Sequence, residues 1–132
     1  MEDSYIASLD IHDDLYDLLR GRIGPELDAR IRALVPTGIY EHFKSTPESR
    51  KYYAVYGVAP GVNDDRKHEY IVAYEALYPP HTGELSWREL IGRDGFLMPI
   101  NRPEVPYRGP RFTLVEACTR AELAGRALRF RT

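Results

Sequence analysis

The rhythm of apolar positions changes twice along this chain of 132 residues. Over residues 10–22, Ile11, Leu15, Leu18 and Leu19 recur at i, i+4, i+7 and i+8, one stripe that predicts a helix. Asp10, Asp13, Asp14 and Asp17 crowd its first turns, where the helix dipole favours anions. Gly21 and Gly24 end it. Pro25 suits the first position of a second helix, striped by Leu27, Ile31 and Leu34 and stopped by Pro36-Thr37-Gly38. Such a helical hairpin carries two apolar stripes and needs a partner surface.

From Gly38 the period shortens to two. Ile39-Tyr40-Glu41-His42-Phe43-Lys44 alternates and predicts a strand. Residues 45–49 form a polar connection. A second strand follows over 51–59, with Tyr52, Ala54, Tyr56 and Val58 expected on one face. Residues 60–65 read as a loop. Residues 68–78 fit either period, because Tyr70, Tyr74 and Tyr78 share a face as strand or as helix. Ile71 and Val72 favour strand; Ala73, Glu75, Ala76 and Leu77 favour helix. We read a strand, since a two-stranded hairpin would otherwise lack a third partner. Residues 79–83 break the pattern. Ser86-Trp87-Arg88-Glu89 has capping-box spacing and predicts a helical turn near 87–91. Arg93-Asp94-Gly95 reads as a turn, 96–100 as a short strand, 101–110 as loop and 111–116 as a last strand. Thr119-Arg120-Ala121-Glu122 is a second capping box, opening a C-terminal helix with Leu123, Ala124, Ala127 and Leu128. The expected class is mainly β with flanking helices (α+β). One domain spans 1–132, with a helical extension over 1–37, a β module over 38–116 and a helix with a basic tail over 117–132.

Composition narrows the setting. The chain is 43% hydrophobic and 29% charged with a formal net charge of −2, ordinary for one folded domain and steering towards neither nucleic acid nor membrane. No apolar run approaches the roughly 20 residues of a membrane helix. The acidic start, Met1-Glu2-Asp3-Ser4, lacks a basic-then-apolar leader, and Cys118 is the single cysteine, so the expected address is cytoplasmic. Charge is uneven, however. Six acids among residues 1–22 face only Arg20 and Arg22, while Arg108, Arg111, Arg120, Arg126, Arg129 and Arg131 outnumber Glu116 and Glu122 at the other end. The two ends could pair within one chain or across a homodimer. The basic end could instead contact nucleic acid.

The blocks along residues 38–112 carry a resemblance. Gly38, Tyr40, His42, Phe43 and Lys44 come first; Tyr53, Val55, Gly57, Val58 and Ala59 follow; then Val72, Tyr74, Ala76, Leu77 and Tyr78; then Trp87, Arg88 and Phe96; and Pro110, Arg111 and Phe112 close. In this order they resemble the family known as domain of unknown function 1653. The chain departs from the family pattern in two longer connections, after Lys44 and after Ala59, and in Trp87-Arg88-Glu89-Leu90, where the family has W-x-R-P. The resemblance implies a small SH3-like antiparallel β-barrel and implies no activity. The helices before Gly38 and after Thr119 read as additions to it.

Candidate chemistry is sparse. His42, on the alternating face with Tyr40 and Lys44, could be a general base or a ligand contact. Glu69, Glu75, Asp64 and Asp65 are available acids, but no spacing ties them to it. His42, His68 and His81 lie at unrelated spacings, so neither a metal nor a cofactor is expected. No Gly-rich phosphate loop or G-x-S-x-G elbow occurs. Eight of the ten tyrosines and the only tryptophan lie within residues 38–112. They can form a core or an open aromatic groove. The reading we carry forward is a non-enzymatic binding module for a small ligand or a protein. Its contact residues would be Tyr40, His42, Lys44, Tyr74, Trp87, Arg88 and Arg111, with Trp87 and Arg88 together at the rim. The alternatives are single-strand or RNA binding through the same aromatic and arginine residues, and a small hydrolase or transferase built on His42.

Overall fold

The computed structural model describes residues 25–60, 70–92 and 94–132. The helix expected over 10–22, and with it the hairpin, lies outside them. The described chain runs α1 (Pro25–Arg32), β1 (Gly38–His42), β2 (Tyr52–Pro60), β3 (Tyr70–Ala76), β4 (Leu85–Glu89), β5 (Phe112–Ala117) and α2 (Arg120–Phe130). The strands form one antiparallel sheet in the order β4-β3-β2-β1-β5. It is open: β4 and β5 are its edges, where the resemblance implied a closed barrel. Closure would need those edges to meet. Instead the connection between them crosses one face of the sheet and fills the space with side chains.

Period-two alternation sends side chains to two faces with different covers. On one face Ile39, Ala54 and Leu77 pack beneath Leu123 and Ala127 of α2. On the other, Tyr40, Val55, Val58, Tyr70, Val72 and Tyr74 pack beneath Leu90, Phe96 and Phe112, with Ile31 and Val35 closing one end. Of the tyrosines that fit either period, Tyr70 and Tyr74 belong to β3, whose burial alternates strictly, and Tyr78 lies just beyond its end. Strand β2 changes sides part-way. Its register with β3 slips between Val55 and Gly57, a bulge that returns Val58 to the face of Val55. Tyr52 and Tyr56 stay with Ala54 on the α2 face, so the four residues expected to share a face are split. Gly57 sits at φ +123°, a conformation that side-chain-bearing residues rarely adopt. At Gly38 a Cβ would lie 2.3 Å from the Glu116 carbonyl oxygen, so glycine lets β1 and β5 approach.

Two further expectations fail for local reasons. Residues 87–91 do not form a helical turn. Leu85 to Glu89 pair with Glu75 to Ile71 as β4, because the edge of β3 offers a ladder that outweighs a cap with no apolar run behind it. Residues 96–100 form no strand. Phe96 and Leu97 N–H donate back to Glu89 O and Leu90 O at 2.8 and 3.0 Å, folding the segment onto the end of β4, and Ile100 makes only an isolated bridge to Gly109.

The helices are tied by polar contacts. Tyr70 donates its hydroxyl to the Asp28 carboxylate, and Arg32 donates to Val58 O at 3.0 Å, fixing α1 to β2 and β3. Thr119 and Glu122 form the reciprocal capping box that starts α2. The arginines of the C-terminal end find local partners. Arg126 and Arg129 reach Glu116, Arg131 reaches Glu75 at 2.9 Å, and Arg120 donates to Tyr56 O at 3.2 Å. These partners lie on the sheet and α2; the acids of residues 1–22 lie outside the described residues. No helix among the described residues is long and apolar enough to cross a membrane.

Candidate ligand-binding site

The loop-covered face carries the chemistry. Five of the seven expected contact residues project towards it, because alternation on β1 and β3 and the β3–β4 register place them there. Tyr40 is buried, donates to Pro36 O at 2.7 Å and meets Phe96 edge-on at 5.5 Å. Burial drives its hydroxyl above the ordinary tyrosine range. Tyr74 is buried and edge-on to Tyr53 at 5.3 Å. His42 packs against Phe112, Phe43 and Tyr53 at 5.1, 4.7 and 6.0 Å between centroids. The Lys44 backbone N–H donates to His42 Nδ1 at 3.2 Å, which places a neutral ring's proton on Nε2. Lys44 itself is exposed, its ammonium near the Phe43 ring.

Trp87 departs from expectation. It pairs with Ala73 while Arg88 pairs with Val72, so the two neighbours point to opposite faces. Trp87 is 54% exposed on the α2 side of the edge strand, away from Arg88. The expected common rim therefore does not form.

Arg88 and Arg111 converge on Asp94. Arg88 Nη1 donates to the Asp94 carbonyl oxygen at 2.6 Å, and Arg111 Nη2 donates to Asp94 Oδ1 at 3.3 Å. Arg111 is 8% exposed, whereas the Asp94 carboxylate is 56% exposed. Among the described residues, each guanidinium keeps a buried Nε with no hydrogen-bond partner. A buried donor left unpaired is costly, and native structures rarely keep one without reason. Burial, then the Arg88 charge, pulls the Arg111 pKa down. The same field acts on His42: burial first, then Arg111, Lys44, Arg88 and Lys51, lower its pKa from 6.5 to about 4. His42 is thus neutral at pH 7, and the charged neighbours that shift it are all cations. Among the described residues no group of His, Cys, Asp and Glu is placed to hold a metal.

Several participants escaped the sequence reading. Tyr53 and Tyr78 share a 2.6 Å hydroxyl–hydroxyl hydrogen bond, and Lys51 lies 4.8 Å from the centre of the Tyr78 ring. Asp94 read only as part of a turn. The Tyr52-Tyr53 pair was the available signal, since alternation must send one of the two to each face. Phe96 and Phe112, stacked at 4.3 Å with planes 4° apart, form the floor of a cavity of about 680 Å³ that Arg111 also lines.

No family model and no curated protein matches the chain. A solved structure of a protein of the domain of unknown function 1653 family, from Bordetella bronchiseptica, is similar to it. The match has 24% identity, covers 67% of this chain and 96% of that one, and gives a TM-score of 0.48. It is the family that the sequence motifs resemble.

Proposed function

We propose that this protein is a non-enzymatic binding module that takes a small anionic ligand at the Arg88–Arg111 end of its loop-covered face. One observation carries the reading: among the described residues, two neighbouring guanidinium groups each hold a buried Nε donor without a partner, and the exposed Asp94 carboxylate bonds Arg111 alone, while Arg88 takes only its main-chain carbonyl. An anion would pair those donors and offset the charge of Arg88, Arg111, Lys44 and Lys51. The edge-on tyrosines around His42 give the seat rigid walls. His42 serves as a neutral hydrogen-bonding group, since a ring held neutral among cations, with its Nδ1 occupied by main chain, is poorly set up as a general base at pH 7. Its Nε2–H is a donor for the same anion.

The nucleic-acid alternative draws less support. Trp87 is turned away from Arg88, Arg126 and Arg129 of α2 are already engaged with Glu116, and Arg131 just after it with Glu75. A cytoplasmic address remains part of the proposal, resting on the single cysteine.

Thermal melting at fixed ionic strength tests the reading, with inorganic phosphate, acetate, a nucleotide and a short single-stranded DNA as ligands. Small anions should raise the melting temperature of the wild type and leave Arg88→Gln unmoved. Stabilisation by the DNA alone, fading steeply with salt, would transfer support to the polymer reading. A flat response to every anion would sink the proposal.

A further inference from the structure

The cavity beside Arg111 has a character that a bare anion site does not need. Its walls include Tyr40, Phe96, Leu97 and Phe112, and among the described residues its charged lining residues are Arg30 and Arg111, with no acid. A volume of about 680 Å³ suits one small molecule rather than a polymer. Apolar walls offer little to an inorganic ion, and an almost fully buried guanidinium with an unpaired Nε offers little to a hydrocarbon.

We infer that the ligand is an amphipathic organic carboxylate, its head on Arg111 and its apolar body against Tyr40, Phe96 and Leu97. This rests on the anion reading above and specifies the ligand's second half. Asp94 shows how the head would sit. Its carboxylate already contacts Arg111 Nη2, but at 3.3 Å and from a side chain 56% exposed to water. An incoming carboxylate can take over that contact while Asp94 turns to solvent. The guanidinium stays paired throughout. Arg30, exposed on α1 at the other side of the cavity, adds attraction without a desolvation cost.

Calorimetric titration at constant ionic strength with acetate, hexanoate, octanoate, octanol and inorganic phosphate tests the idea. Octanoate should bind about tenfold tighter than hexanoate, as expected for two further buried methylenes, and acetate should be weakest. Octanol should not bind measurably. Arg111→Gln should abolish the preference for octanoate over octanol. Leu97→Trp, which fills the cavity and leaves the arginines in place, should erase the chain-length gain and spare phosphate binding. It keeps the test decisive if the Arg111 variant does not fold. Phosphate binding with octanoate no tighter than acetate would overturn the carboxylate inference and leave the anion site standing. Octanol matching octanoate would overturn it by removing Arg111 as the anchor. Silence from every anion would overturn both.

Discussion

The two faces of the sheet use arginine in opposite ways. On the α2 side, Arg126 and Arg129 of the helix and Arg131 just after it are at least partly exposed and each meets a glutamate, so charge is matched close to water. Beneath the 90–111 connection, Arg111 is almost fully buried, Arg88 is partly so, and each retains an unpaired Nε. The helical cover resembles a finished interface: an apolar seam of Ile39, Ala54, Leu77, Leu123 and Ala127 with ion pairs at its margin. The loop cover leaves a cavity and unspent hydrogen-bonding capacity. Regular structure thus closes one face for stability, while irregular backbone leaves the other able to accept something else.

The largest perturbation should come from the floor of the open side. Phe112 stacks on Phe96 and meets Tyr53, Tyr74 and His42 edge-on or tilted. Phe112→Ala should cost about 3–5 kcal/mol in urea denaturation. A loss below about 2 kcal/mol would mean that the loop cover is loosely packed, which would widen the contrast between the faces. Next comes pH. The His42 pKa is about 4 in the folded protein against 6.5 for the free side chain, so between these values the unfolded chain binds more protons. Stability is therefore full above pH 6.5 and declines as pH falls towards about 4, by on the order of 2 kcal/mol. His42→Gln should flatten that slope; an unchanged slope would place the titrating group elsewhere. The smallest effects differ in sign. Arg126→Met should cost little in the same measurement, as ion pairs close to water do. Arg111→Met should be neutral or stabilising by about 1 kcal/mol, because it removes a buried charge and leaves Asp94 in water. Equal losses at both positions would erase the distinction between the faces.

Much of this frame could be read from residue spacing. The β3 alternation, the Thr119–Glu122 cap and the burial of Leu123 and Ala127 on α2 each follow from short-range rules that tertiary packing reinforced. What escaped depends on register and on long-range closure. Gly57 is an ordinary residue of a strand until its partner slips by one, and then Val58 changes face. Trp87 and Arg88 looked like one rim because sequence adjacency says nothing of facing. Phe96 has strand-like neighbours, yet Glu89 and Leu90 carbonyls capture its segment first. For the site, the sequence yields Tyr40, His42, Tyr74, Arg88 and Arg111 as candidates; Asp94 joins them only when the turn brings its two acceptors between two arginines.

The sheet order also sets a sequence of events. Strands β1 to β4 are each paired with a chain neighbour, so three ladders can zip with short loops to close. The fourth ladder joins β1 to β5, from Gly38 opposite Ala117 to His42 opposite Phe112, and must wait for the far end of the chain. Arg111 and Phe112 arrive with that strand. During synthesis β1 to β4 emerge before β5 and α2, so the face that α2 covers is made before its cover. The proposed seat would then be complete only when β5 docks, so on this reading competence to bind would report completed folding.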